Sequence, residues 1–387
     1  LFNFNCSSSF FIMKSLIIYS IPAFFILIAI ELIIDKIKKT NYYRLNDTIS
    51  NINTGIVQQV TGILLKIVNI GVYIWIYENF RWFTVPQKWY TWILLLLLVD
   101  FCYYWFHRMS HEISILWGTH VVHHQSEEYN LSVALRQSAT QVFGSFWFYL
   151  PLAFIGFDPI SFVIVAQIQT LYQFWIHTRL INKMPRWFEF VFNTPSHHRV
   201  HHGVNPKYID KNHGGTFIIF DRIFGTFQEE EEEVFYGTTT PLNSWNIAVA
   251  NFDYYGWIGK QLKLVKSGKD FFFVLFKAPG WRPSYAGGVE KPKEVDTTRK
   301  LYDADVNPHL HTYIIVQFAT LLAFVSYFLF GIESFDIYQK IAGILFIIVS
   351  TITIGTLFEG KKWSRILEFI RILAAIPLIF FLTGGIH

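Results

Sequence analysis

The stretch Trp89-Tyr-Thr-Trp-Ile-Leu-Leu-Leu-Leu-Leu-Val-Asp100-Phe-Cys-Tyr-Tyr-Trp-Phe-His107-Arg-Met-Ser-His111 joins a Leu-rich run to two histidines one helical turn apart. The run over 89–106 has the length needed to cross the ~30 Å hydrocarbon core of a bilayer. It predicts a membrane span that ends in a metal-binding face. Residues 100, 104, 107 and 111 share one helical stripe. An acid inside a span is costly to bury, so Asp100 is a candidate partner for a ligand imidazole; an ordinary hydrogen bond between helices is the alternative.

Moving outward, ten of the fourteen histidines fall between His107 and His202. After His107 and His111 come His120, His123 and His124, then His177 alone, then His197, His198, His201 and His202. The i, i+3 and i, i+4 spacings aim two or three imidazoles of each cluster at one point. Eight to ten neutral imidazoles exceed the needs of one ion, so two metal ions are the simplest reading. His177 and His197 stand outside the repeated pattern and are the less secured of the ten candidate ligands. A metalloprotease HExxH is absent, because Ile115 follows His111-Glu112 where histidine would be needed.

The rest of the chain reads as membrane protein. Of 387 residues, 52% are hydrophobic and 19% aromatic, against 16% charged. Apolar runs at about 15–34, 56–78, 89–106, 139–156, 159–176, 312–330, 337–357 and 365–385 predict an all-α polytopic membrane protein. Lys66 interrupts the second run and must snorkel or meet a polar partner. Gly156-Phe-Asp-Pro159 breaks two runs into a helical hairpin that returns His177 to the side where His124 left. The glutamines of that hairpin, Gln141, Gln167, Gln169 and Gln173, should face protein. The expected organisation is N-terminal transmembrane helices over 1–88, a catalytic domain over 89–250, a cytoplasmic connecting segment over 251–310 and C-terminal transmembrane helices over 311–387.

The basic loops Lys36, Lys38, Lys39, Arg44 and Lys361, Lys362, Arg365 place the histidine-rich cap in the cytoplasm by the positive-inside rule, with Arg81 and Lys88 against it. Residues 1–12 precede Met13 and support no structural reading, and Cys6 and Cys102 give no disulfide framework. The acidic run Glu229 to Glu233 reads as a solvated loop, and Asp221 to Phe227 as a segment that packs in the core or docks on the bilayer. The net charge of +4 is small and spread out, so no nucleic-acid partner is expected.

The boxes HxxxH, HxxHH and HxxHH at the ends of apolar segments resemble the fatty acid hydroxylase and sterol desaturase superfamily. The words between them, His123-His-Gln-Ser-Glu-Glu-Tyr-Asn-Leu-Ser132, Tyr172-Gln-Phe-Trp-Ile-His-Thr178 and Asn193-Thr-Pro-Ser-His-His-Arg-Val-His-His-Gly203, look like its alkylglycerol monooxygenase branch. The resemblance covers about 95–245 and includes Ile209 to Asn212 and Asp221 to Phe227. It implies two Fe ions held by His107, His111, His120, His123, His124, His177, His197, His198, His201 and His202. It also implies O₂, a lipid taken from the bilayer and tetrahydrobiopterin as external reductant, in the endoplasmic reticulum of a eukaryote or the inner membrane of a bacterium.

The residues themselves leave several points open. Imidazole suits iron and zinc alike, and no haem, dinucleotide or iron–sulfur motif supplies electrons, so a ferredoxin or cytochrome b5-type donor stands beside the pterin. The ligand words hold no carboxylate, which leaves Glu112, Glu127, Glu128, Asp210 and Asp100 to offset the metal charge. Glu127, Glu128 and Asn130 follow the second box closely enough to orient its rings or meet the pterin. Alternative substrates are sterols, fatty acyl chains and carotenoids. A histidine-rich metal transporter is the distant alternative, disfavoured because these histidines flank the spans instead of lying at mid-membrane.

Overall fold

The computed structural model describes residues 16–289, 299–304 and 306–384; Cys6, the lead at 1–12 and the Lys66 side chain lie outside the described residues. Fourteen α-helices order the described chain: α1 (Leu16–Lys38), α2 (Leu45–Phe80), α3 (Trp89–Glu112), α4 (Ser114–His124), α5 (Gln141–Ile155), α6 (Pro159–Trp175), α7 (Arg186–Val191), α8 (Pro195–His201), α9 (Ile219–Phe224), α10 (Ile247–Leu262), α11 (Gly268–Phe276), α12 (Pro308–Phe330), α13 (Ile337–Phe358) and α14 (Lys362–Leu382). No strand occurs among the described residues beyond the isolated bridges Phe192–Phe217 and Gly203–Tyr236. The protein is an all-helical membrane protein.

Four helices, α1, α3, α12 and α13, are long and apolar enough to cross a membrane, and a fifth joins them if the bent halves of α2 count as one span. The other apolar runs differ for physical reasons. α5 and α6 have 15 and 17 residues, short for a crossing. α14 carries Lys362, Arg365, Glu368 and Arg371 in its first half. Glu368 and Arg371 are buried and bonded to each other at 2.7 Å, so their charge is kept off the lipid.

The hairpin forms as the sequence predicts. Gly156 takes φ 103°, and a Cβ there would come within 1.9 Å of the Phe83 carbonyl oxygen. Asp158 then caps α6 by accepting the Ser161 N–H at 2.9 Å, with Pro159 in the first turn. Both legs lie along α3, and Gln169 is buried against it, donating to Asp100 at 3.1 Å. The connection between α2 and α3 locks the tip, the Trp82 N–H donating to the Phe154 carbonyl at 2.7 Å.

Two large apolar cores result, beside two small clusters around Tyr129 and Phe174. One surrounds α3, α5 and α6 with Leu95, Val99, Leu152 and Val165; the other joins α2 to α12 and α13 through Val60, Phe328, Ile347 and Ile354. Polar bonds cross the boundary expected at residue 88. Arg136 is fully buried and donates to the Val122 carbonyl at 2.7 Å, to Ser50 and Asn51 of α2, and to Gln125 at 3.0 Å. Removing those acceptors would strand a buried guanidinium, which costs about 3–5 kcal/mol. Glu31 of α1 likewise accepts from Thr178, Tyr43 and the Leu131 N–H, tying the first span to the chain just after His177.

Two loop expectations change on inspection. The acidic run is only partly solvated: Glu231 and Glu232 meet Lys207 at the surface, but Glu230 pairs with Arg199 of α8 at 2.6 Å. α9 divides its faces, with Asp221 buried and Ile223 68% exposed.

Candidate metal centre

α3 delivers His107 and His111 at its last turns, α4 delivers His120, His123 and His124, and α8 delivers His198 and His201, with His202 at its C-cap. His177 follows α6 directly. The folded chain sorts these nine rings into two groups. His107, His111, His120, His124 and His201 form one; His123, His177, His198 and His202 form the other; within each, the ligand nitrogens lie within 4.8 Å of one another. Every ring is buried.

The tautomers follow from the carbonyls that hold the rings. The Nδ1 atoms of His107, His123, His177 and His201 lie 2.7–2.9 Å from the carbonyls of His213, Arg136, Gln173 and Lys211. A carbonyl only accepts, so Nδ1 carries the proton and Nε2 presents a lone pair. Yet the Nε2 atoms of His123 and His177, both with Nδ1 protonated, face each other at 3.3 Å. Opposed lone pairs at that range repel unless a cation lies between them. His111 Nε2 and His201 Nε2 are buried with no partner at all. The donor set therefore fits a metal ion in each group, and imidazole nitrogen is its chemistry.

Burial disfavours the charged form of the rings on α4 and α8. It pushes His123 down to about 4, helped by the charge of Arg136 and the neighbouring His111. His124, His198, His201 and His202 are held well below the ordinary histidine range by burial first and adjacent imidazoles second.

Two of the sequence candidates are placed elsewhere than their spacing implied. His197 joins neither group; its ring packs on Phe227 at 5.4 Å. Asp100 reaches no imidazole: it accepts the N–H groups of Thr216 and Phe217 at 2.6 and 3.0 Å. The stripe it shares with His107 is real, but its carboxylate is taken by a loop 116 residues away.

The other acids also sit back from the rings. Glu127 accepts from Arg299 at 2.8 Å and from the Tyr302 N–H at 2.7 Å, while Glu128 meets Arg44 at 2.8 Å and Arg179 at 3.6 Å. Burial pushes Glu128 up to about 7 against the pull of those two guanidinium groups. Asn130 shapes a turn, donating to the Tyr42 carbonyl and accepting from Ser132. Glu112 pairs with Arg108 along α3. Asp210 alone approaches a box histidine, with Oδ1 3.5 Å from His111 Nδ1.

His213 was not legible as part of the cluster. It is fully buried, both ring nitrogens lack partners, and its ring centre lies 5.1 Å from that of His111 and 5.6 Å from that of His107. Its loop orients the first group: Asp210 meets His111, the Lys211 carbonyl holds His201, and the His213 carbonyl holds His107. Asp221 fixes the loop by accepting the N–H groups of His213 and Gly214 at 2.7 and 2.8 Å. Near the second group, Tyr129 stacks on His177 and donates to the Ile176 carbonyl at 3.0 Å.

Residues 92–226, the segment that supplies all of these histidines, match the fatty acid hydroxylase family. The chain is similar to alkylglycerol monooxygenases along most of its length. It is 38% identical to that of Homo sapiens over 365 residues, covering 93% of this chain and 81% of the relative. For Danio rerio the identity is 37%, covering 90% and 79%, and for Caenorhabditis elegans 34%, covering 85% and 69%. No solved structure matches. The chain belongs to the alkylglycerol monooxygenase family within the fatty acid hydroxylases.

Proposed function

We propose that this protein hydroxylates the ether-adjacent carbon of an alkylglycerol with O₂, and that the resulting hemiacetal collapses to a fatty aldehyde and a free glycerol hydroxyl. One oxygen atom enters the C–H bond; the other leaves as water, with two electrons and two protons from an external reductant. The observation that carries the reading is the pair of convergent, buried imidazole groups, supported by the monooxygenase relatives.

His107, His111, His120, His124 and His201 would hold one iron and His123, His177, His198 and His202 the other, with His213 beside the first. Bound iron would supply the redox chemistry that activates O₂, which zinc lacks. The chain's own residues do the rest. Backbone carbonyls at 136, 173, 211 and 213 keep Nε2 unprotonated and aimed inward. Burial excludes water from the rings, which protects a reactive centre from side reactions. A lipid would reach the site from the bilayer, because His107 and His111 sit in the last turns of α3, a helix long and apolar enough to cross it.

Tetrahydrobiopterin is the proposed reductant, on the strength of the family. The cap is proposed to face the cytoplasm. In support, the two basic loops both abut it: Arg44 meets Glu128, and Glu359, paired with Lys361, accepts the Trp245 N–H at 2.7 Å. Incubating the purified protein with labelled alkylglycerol, O₂ and reduced pterin tests the activity; labelled aldehyde should form only when all three are present. Cysteines at 230 and 334 test the orientation, the first labelled only after cells are opened and the second from outside.

A further inference from the structure

We infer that α11 lies in the surface of the bilayer as an interfacial anchor, its aromatic face in the acyl region and its lysines among anionic phosphate groups. α11 is the run Gly268-Lys-Asp-Phe-Phe-Phe-Val-Leu-Phe276. Its two faces are both apolar but have different fates. Val274 is buried at 1% exposure and Phe273 packs on Trp281 with ring centres 5.3 Å apart, seating the helix against α4 and α10. Phe272 and Phe276, four residues apart, share the opposite face and stand 60% and 57% exposed, with Phe271 on its flank 42% exposed. Contiguous exposed phenylalanines on one helix are not tolerated by water as isolated apolar residues are.

Level and charge identify what covers them. The Lys277 carbonyl, at the end of α11, accepts the N–H of Ser114 at 2.8 Å. Ser114 opens α4 two residues after α3 ends, so α11 sits at the height where a membrane-spanning helix leaves the bilayer. Five lysines, Lys260, Lys263, Lys266, Lys269 and Lys277, stand against two acids, Asp253 and Asp270, between 253 and 277. Lys266 lies over the ring of Tyr285, and Lys269 and Lys277 over that of Phe273, at 4.2–5.4 Å. An apolar stripe bordered by lysines is the pattern of a helix in the plane of an anionic interface. Capping holds the helix in register, since Ser267 accepts the Asp270 N–H at 3.1 Å.

The placement has a consequence for the site. α11 rests on α4, which carries His120, His123 and His124, so the anchor holds the second histidine box at a fixed depth beneath the lipid.

The test uses the full chain in phosphatidylcholine vesicles with and without phosphatidylglycerol, in a Cys6→Ser, Cys102→Ala background. A nitroxide is placed at Phe272→Cys or Phe276→Cys, and a water reference at Glu231→Cys; metal content checks that each variant is folded. Expected is a label at 272 and 276 reached by O₂ and shielded from a water-soluble nickel chelate, with the reverse at 231. Changing Lys263, Lys266 and Lys269 to Glu should make the chelate several-fold more accessible at 272 when phosphatidylglycerol is present. Nickel access at 272 equal to that at 231 overturns the inference, as does shielding from both quenchers, which would mean that protein covers the face. The readout needs no turnover, so it stands or falls apart from the proposed reaction.

Discussion

The two histidine groups hold equivalent ligands by different means. In the four-histidine group the rings lean on helices and core: His177 bonds to the carbonyl of Gln173 one turn back, His123 to Arg136, and Tyr129 closes the side. In the five-histidine group, three rings from two elements are set by the 210–213 loop, and that loop is fixed by Asp221, with Asp100 holding the strand of chain that follows. One group is therefore as rigid as the bundle, and the other as rigid as two buried carboxylates make it.

The largest effect tests both groups at once. Replacing His123 or His107 with Ala should abolish turnover, and metal analysis should show the loss of one ion of two, from the four-histidine group in the first case and the five-histidine group in the second. Retention of both ions in either variant would break the assignment for that residue.

Asp221→Asn separates the groups. An amide cannot accept all three of the bonds from His213, Gly214 and Thr226, so the loop carbonyls shift. Metal affinity of the five-histidine group should fall about 10–100-fold, the usual effect of losing a partner that orients ligands, while the other group keeps its ion. Equal loss from both would show that the loop does not discriminate between them. A smaller effect, about 10-fold on the first group only, is expected for His213→Ala. His197→Ala should leave both ions in place, because its ring faces Phe227.

The pattern of what the sequence disclosed follows from the same distinction. Helical spacing revealed His107 with His111, His120 with His123 and His124, and His198 with His201 and His202, because their partners are one turn away. It failed at His213, whose partners His107 and His111 lie on α3 about 106 residues back and whose local mark is a loop with Asp210 and Asn212 at positive φ of 57° and 56°. It misled at Asp100 and Glu128 for the same reason: the stripe or the adjacency was correct, but Thr216, Phe217, Arg44 and Arg179 claimed the carboxylates from far along the chain. The membrane class was plain from composition. The eight apolar runs did not announce that α5 and α6 fall short of a span, since a hairpin bound along α3 and a pair of crossing helices have the same hydropathy.

The smallest effect concerns pH in protein stripped of metal. A histidine whose folded value lies below its unfolded value contributes stability that is present above about 6.5 and lost as pH falls. For His123, lowered to about 4, the contribution is about 3 kcal/mol, lost between about 6.5 and about 4. Thermal unfolding of the metal-free protein in detergent should show Tm falling through that window, with His123→Gln flattening the fall. A Tm independent of pH between 4 and 7 would mean that the rings are not neutral and buried without metal.

The proposed chemistry is that two buried imidazole groups hold two iron ions that oxidise an ether lipid. Its most direct test is iron analysis of the purified full chain followed by turnover of labelled alkylglycerol with O₂ and reduced pterin. The account predicts two irons per chain, labelled aldehyde formed in step with O₂ consumed, and loss of both on removal of iron. Two bound zinc ions with full activity, or two irons with no O₂ consumed on any ether lipid, would contradict it.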